Sequence, residues 1–315
     1  MQNPIISSRG QINVVLNHQE KSRRSRQQQQ FLSSEEREKH YVLERVEKEL
    51  ESLVGLTDVR RFLKEVYAWL YINKCRKEQG LKVTKQSLHM IFKGNPGTGK
   101  TTVARLIAKF FYEMNVLSKG HLIEVERADL VGEYIGHTAQ KTRDMIKKAQ
   151  GGVLFIDEAY SLARGGEKDF GKEAIDTLVK SMEDQQHDFV LILAGYSAEM
   201  DYFLSLNPGL PSRFPVNIDF PDYTTDELME IGRRLLDERE YRLTKDGEWK
   251  VRDYLKRVKA EHKRAFSNGR FIRNLIEQAI RAQAVRLLAE DQYNRDMLTT
   301  LCADDFDFEN GHVEP

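Results

Sequence analysis

The order of apolar and polar positions divides the chain into three stretches. Between residues 42 and 71, apolar side chains recur every three or four positions: Val42, Val46, Leu50 and Leu53, then Val59, Phe62, Leu63, Val66, Leu70 and Tyr71. That spacing puts them on one face of each of two helices. Ser33-x-x-Glu36 has the form of a capping box ahead of the first helix, and Gly80 is suited to close the second. From residue 88 the pattern changes to short apolar runs at 88–92, 122–125, 153–156, 190–194 and 216–220, with helical segments between them. Uninterrupted apolar runs suit strands buried on both faces, and strands alternating with helices predict a parallel sheet covered on both sides. Beyond Pro221-Asp222-Tyr223 the period is helical again, over about 225–239, 246–262 and 270–290. Strands are expected to stop there.

These shifts predict five segments: a disordered polar tail at 1–32, a helical linker at 33–52, a large α/β domain at 53–221, a small all-α domain at 222–306 and an acidic tail at 307–315. With 315 residues, the chain exceeds the size at which one core usually stops growing. The first segment carries Arg23, Arg24 and Arg26 followed by four glutamines, a composition that cannot build a core. Its basic cluster is expected to be solvated, with a docking arm as the alternative. The acidic end from Asp304 to Glu314 reads as a frayed terminus.

Charge and cysteine content narrow the chemistry. Forty-nine basic residues balance forty-nine acidic ones, so composition gives no electrostatic case for nucleic acid or a membrane surface. Cys75 and Cys302 are far apart, without Cys or His at ligand spacing, which argues against a disulfide framework or a zinc site. The start lacks the pattern of a secretory signal, and no run approaches the ~20 apolar residues of a membrane span. A cytoplasmic location is therefore expected.

The strongest chemical signal is Gly94-Asn95-Pro96-Gly97-Thr98-Gly99-Lys100-Thr101, a complete G-x-x-x-x-G-K-[ST] match between a predicted strand and a predicted helix. Glycines let backbone N–H groups wrap around phosphate oxygens at the positive end of the helix. Lys100 is suited to the β- and γ-phosphates and the Thr101 hydroxyl to Mg²⁺. Thr102 completes the segment. About fifty residues on, Val153-Leu154-Phe155-Ile156 runs into Asp157-Glu158. An apolar strand ending in two carboxylates can deliver Asp157 to the metal through a water and Glu158 to an attacking water as general base. The glycine spacing does not fit G-x-G-x-x-G, which excludes a dinucleotide fold of that kind. Asn73-Lys74-Cys75-Arg76 breaks the guanine-reading N-K-x-D pattern at its fourth position.

Together with Val54-Gly55-Leu56, Ser212-Arg213-Phe214 and Asn268-Gly269-Arg270, these motifs resemble the AAA+ ATPases. Residues 129–138, 157–162 and 193–196 resemble more narrowly the branch that holds the red-type Rubisco activases and a sporulation protein, with spore maturation as the implied process. The likeness spans about residues 45 to 306. It implies a P-loop fold with a small helical lid, ATP and Mg²⁺ as cofactors, and adenine packed on Val54, Gly55 and Leu56. It also implies Arg213 as an arginine finger acting on the neighbouring subunit, and Arg270 as sensor 2, with Arg273 one turn on as competitor. Tyr134, Ile135 and Gly136 fall at the pore loop. The usual sensor-1 Asn or Thr is replaced by Ala194-Gly195-Tyr196-Ser197, leaving Tyr196 and Ser197 as candidates. The implied assembly is a homo-oligomeric ring, expected to be a hexamer, pulling on a protein substrate. The alternatives are a nucleotide-dependent switch or adaptor, and a nucleic-acid motor or loader.

Overall fold

The computed structural model describes residues 41–51, 53–83, 86–134, 136–164, 169–185, 188–207, 209–261, 266–291 and 293–308. The expected tail at 1–32, the Ser33/Glu36 capping box, Ile135 and the last seven residues lie outside them. The chain forms two compact units, one of residues 58–93 and 103–218 with the N-terminal segment to residue 49, the other of 50–57, 94–102 and 219–315.

The first unit is built on a parallel sheet in the order β2-β3-β4-β1-β5. Its strands are β1 (Met90–Gly94), β2 (Leu122–Val125), β3 (Val153–Ile156), β4 (Val190–Gly195) and β5 (Val216–Phe220). Pairing sets Met90 beside Ile192, Val153 beside Val190 and Leu122 beside Val153. Every residue of β3 and β4 is buried, as expected of strands that read as continuous apolar runs. The chain enters through α1 (Tyr41–Glu51) and α2 (Thr57–Glu78), and β1 leads into α3 (Lys100–Glu113). Val103, Ala104, Ile107, Ala108, Phe110 and Phe111 of α3 are all buried. After β2 come α4 (Arg127–Leu130) and α5 (His137–Ala149), and after β3 a 3-10 turn (Ala159–Ala163) and α6 (Gly171–Asp184). Ile146, Leu154, Ile156, Leu162, Ile175, Leu178, Leu193, Met200 and Phe203 join one core, the last two from α7 (Ser197–Leu206).

The second unit contains α8 (Thr225–Asp237), β6 (Arg242–Leu243), α9 (Lys245–Glu261), α10 (Asn268–Glu290), α11 (Arg295–Thr299) and β7 (Thr300–Leu301). Thr224 starts α8 with a capping box: the Glu227 N–H donates to its hydroxyl at 3.2 Å, and its own N–H donates to the Glu227 carboxylate at 2.7 Å. Leu228, Leu236, Leu255, Phe271, Leu275 and Leu301 share the core.

Two expectations are corrected here. Strands do not end at Pro221, because β6 and β7 pair in parallel, Arg242 beside Thr300 and Leu243 beside Leu301. The segment from residue 304 to 308 is not frayed: Asp305 and Phe306 are buried, and the Phe308 ring stacks on Tyr254 at 3.7 Å between centroids. Asp305 accepts from Arg286 Nε at 2.8 Å, from a second Arg286 nitrogen at 3.0 Å and from the Cys302 N–H at 2.8 Å. Aromatic burial and this ion pair fix what the acidic composition suggested was loose.

Candidate functional site

The phosphate loop belongs to the second unit, and its glycines meet a steric need. Gly97 has φ +69°, and a Cβ there would lie 2.1 Å from the Ser267 carbonyl oxygen and 2.8 Å from the Arg270 nitrogen. Only glycine combines that left-handed backbone with so close an approach. At Gly94 a Cβ would come within 2.3 Å of the Phe220 carbonyl oxygen. The loop turns back on itself so that the Lys100 ammonium donates to the Gly94 and Asn95 carbonyls, both at 2.8 Å, while the Thr98 hydroxyl donates to Asn95 O at 2.8 Å. A cation drawn into a glycine-rich turn at the start of α3 suits a polyphosphate anion.

The same unit brings further residues to the loop. The Tyr223 hydroxyl donates to Thr98 O at 3.0 Å; burial, and then the nearby Glu227 charge, push its pKa up to about 12, so it keeps its proton. Asn95 Nδ2 donates to both Asp222 oxygens at 2.9 and 3.1 Å, and Asn268 Nδ2 donates to Asp222 Oδ1 at 2.7 Å. Val54, Gly55 and Leu56 are half-buried. Gly55 and Leu56 both have positive φ, and Gly55 sits against the Tyr223 ring and the Glu227 carboxylate. Arg270 and Arg273 are exposed on α10, and only the Arg270 backbone borders Gly97 among the close approaches to that glycine.

The carboxylate pair lies in the first unit, at the end of β3. The Asp157 N–H donates to Val125 O at 3.2 Å, and the Glu158 N–H donates to Asp157 Oδ1 at 2.9 Å. Glu158 is exposed and left-handed, φ 47° and ψ 43°, a conformation that costs a non-glycine residue about 1–2 kcal/mol. Below it Tyr160 is buried, its ring 6.0 Å from Tyr196 and 4.6 Å from the Arg164 guanidinium. Burial first, then the Glu158 charge, raise the Tyr160 pKa well above its ordinary value. A Cβ on Gly195 would lie 2.7 Å from that ring, so the residue ending β4 must be small. Ser197 is exposed at the first position of α7.

Two other candidates lie elsewhere in this unit. Arg213 donates through Nε to Glu183 at 2.9 Å and through another nitrogen to Gly209 O at 2.6 Å. Tyr134 is 66% exposed, with its ring edge-on to His137 at 5.4 Å. The neck of its loop is pinned: the Gly132 N–H donates to the buried Thr138 hydroxyl at 2.9 Å, and the buried Thr142 hydroxyl donates to Leu130 O at 3.2 Å. Gly136, on the far side, has φ +83° and open space around it.

Comparison with known proteins decides the family. Residues 90–222 match the model described as ATPase family associated with various cellular activities (AAA), and residues 224–315 match the AAA lid domain. Stage V sporulation protein K of Bacillus subtilis is 65% identical over 300 residues, covering 94% of this chain and 93% of that protein. The chain belongs to the AAA ATPase family. This AAA ATPase also resembles a CfxQ homolog of Guillardia theta, 49% identical over 80% of this chain and 86% of that one. The chloroplastic ribulose bisphosphate carboxylase/oxygenase activase of Cyanidioschyzon merolae is 46% identical, covering 79% and 83%. The FIGL-1 AAA domain in complex with ADP shares the fold with a TM-score of 0.55 at 18% identity, over 80% of each chain. The chain is thus an ATP-binding AAA ATPase, and among the described residues no helix is long and apolar enough to cross a membrane.

Sequence reasoning gave Asp222, Tyr223, Asn268 and Glu183 no chemical role. Pro221-Asp222-Tyr223 served only as a boundary, and Asn268 only as part of a motif around Arg270. Their partners lie 30 or more residues away, at Asn95, Thr98 and Arg213.

Proposed function

We propose that this ATPase assembles into a homo-oligomeric ring, with six subunits as the expected size, and uses hydrolysis to pull a protein substrate through a central pore. The observation that carries this reading is Tyr134. A large, 66% exposed aromatic on a short loop with a pinned neck and a glycine beyond it can grip many peptides without reading their sequence.

In this reading the loop 94–102 holds the phosphates of ATP and Val54, Gly55 and Leu56 flank the adenine. Thr101 and, through a water, Asp157 hold Mg²⁺, which supplies charge neutralisation at the phosphates when bound. Glu158 orients and deprotonates the attacking water, and its strained backbone suits a residue held for chemistry rather than for folding. Arg213 completes the neighbouring subunit's site, where such a cation is worth roughly 10³–10⁵ in rate. Arg270 answers to the γ-phosphate from the lid, favoured over Arg273 by its contact with Gly97. Tyr196 and Ser197 remain the candidates for sensor 1. Spore maturation is the proposed process, by likeness to the Bacillus subtilis protein, and the cytoplasm the proposed site.

The test is ATPase rate per subunit against protein concentration for the full chain, Glu158→Gln, Arg213→Ala and Tyr134→Ala, with sizing of the same samples. A rate that climbs with assembly, collapses in the first two variants and persists without substrate processing in the third supports the ring motor. A dilute monomer that hydrolyses at full rate, indifferent to Arg213→Ala, refutes it in favour of a nucleotide-dependent switch. A salt-sensitive shift of DNA would favour a nucleic-acid motor instead.

A further inference from the structure

One carboxylate holds two backbone segments 173 residues apart. Asp222 Oδ1 accepts from Asn95 Nδ2 at 2.9 Å, inside the phosphate loop, and from Asn268 Nδ2 at 2.7 Å, at the first residue of α10. Asn268 is fully buried and left-handed, with φ 49°, a backbone that asparagine tolerates better than most residues. Its amide is spent on this junction. Nδ2 also donates to Phe266 O at 2.9 Å and reaches Pro96 O at 3.4 Å, and Oδ1 accepts from the Tyr223 N–H at 3.0 Å. Backbone contact reinforces the side chains, since the Gly269 N–H donates to Gly97 O at 3.1 Å. Arg270 follows two residues after Asn268 on the same turn.

A long arginine can act on a phosphoryl group only if its backbone is held at the right distance, and a displacement of about 1 Å can cost on the order of 10²-fold in rate. Hydrophobic packing fixes α10 against α8 and α9, and the lid core's own tie to the loop, the Tyr223 hydroxyl on Thr98 O, does not involve α10. The Asp222 carboxylate joins the loop to α10 directly. It is half-buried, and both of its amide donors lie within ordinary hydrogen-bond reach.

We propose that Asp222 is a positioning residue for ATP hydrolysis, locking the phosphate loop to the first turn of the Arg270 helix through Asn95 and Asn268. The proposal rests on the reading of the loop as the phosphate site and of Arg270 as the residue that answers to the γ-phosphate. Asp222 acts through Asn95 and Asn268; it sets where Arg270 starts. ADP lacks the group that Arg270 addresses, so losing the lock affects turnover more than ADP binding.

The experiment uses the full chain at a fixed concentration and measures kcat and KM for ATP, the affinity for a fluorescent ADP, and the melting temperature. Asp222→Ala and Asn95→Ala are the primary variants; the second removes only the loop side and leaves the lid core intact, which covers the case in which the first fails to fold. Losing charge-assisted bonds of this kind is expected to lower kcat about tenfold or more in both variants, with ADP affinity within about threefold of wild type in Asp222→Ala, which lies outside the phosphate loop. Asn268→Asp, which sets two carboxylates face to face, should be worse. The proposal fails if kcat stays within about twofold of wild type in Asn95→Ala, or if turnover and ADP affinity fall together in Asp222→Ala. Lys100→Ala and Arg270→Ala separate the two levels. If they abolish hydrolysis while Asn95→Ala keeps kcat within about twofold of wild type, the lock is wrong and the site reading stands; if they leave hydrolysis intact, the site reading itself is wrong.

Discussion

Replacing Asp305 by alanine tests whether the end of the chain is a structural part of the lid. The carboxylate is buried and accepts the two Arg286 bonds at 2.8 and 3.0 Å, the Cys302 N–H at 2.8 Å and the Cys302 thiol at 3.3 Å. Breaking a buried pair by deleting one partner costs about 3–5 kcal/mol, because the other charge is left without compensation. Arg286 is 26% exposed and keeps Glu290 at 3.6 Å, so a cost below that range, about 2–3 kcal/mol, is expected. For a unit of this size that is a drop of roughly 10–20 °C in melting temperature, read by circular dichroism or calorimetry. The pH dependence has a definite sign. Burial alone would raise the Asp305 carboxyl, but the Arg286 and Cys302 bonds outweigh it and hold the group below its ordinary value. A depressed carboxyl stabilises the fold above the unfolded value near pH 4 and loses that contribution as pH falls through the folded one. The gap between wild type and Asp305→Ala should therefore be constant from about pH 5 to 8 and close in acid. A gap under 2 °C at pH 7, or one that widens on acidification, would refute the assignment.

Gly97→Ala should abolish tight nucleotide binding and lower stability by several kcal/mol, since it adds a left-handed alanine and places a Cβ 2.1 Å from the Ser267 oxygen; fluorescent-nucleotide titration and melting check both. Tyr223→Phe removes only the bond to Thr98 O and should cost about 1 kcal/mol in thermal unfolding, with no change in the pH profile of hydrolysis between pH 6 and 9, because the phenol stays protonated there. Gly195→Ala should displace the Tyr160 ring, which a Cβ would approach to 2.7 Å, and reduce hydrolysis more than ATP affinity through the neighbouring Glu158. Equal losses in both would place the damage in the sheet instead.

Much of the sheet was legible because strands buried on both faces leave uninterrupted apolar runs. β3 is of that kind and coincides with its run; β2 and β5 also coincide with theirs, although Glu124, Asn217 and Asp219 are exposed. β1 begins two residues later than its run and extends through Lys93 to Gly94, since hydropathy cannot register a lysine whose amine reaches Asp201 at 2.6 Å. β6 and β7 are two residues each, too short to carry a period. At the C-terminus the acids hid Phe306 and Phe308, aromatic signals that a solvated tail has no reason to contain. The phosphate motif was visible because its residues are contiguous. Its ties to Asp222 and Tyr223 were not, because a hydrogen bond between polar residues more than a hundred positions apart leaves no trace in composition or spacing.

The strand order carries a consequence for how the chain is made. β1 sits between β4 and β5, and Met90, Ile91 and Phe92, all buried in the finished sheet, gain their first strand neighbour only when residues 192–194 arrive. At typical synthesis rates of about 5–20 residues per second, that leaves the apolar strand uncovered for roughly 5–20 s on the ribosome. The strand that leads into the phosphate loop is thus the segment most in need of a holding chaperone during translation, and slowing synthesis between β1 and β4 should lower soluble yield more than slowing it after β5.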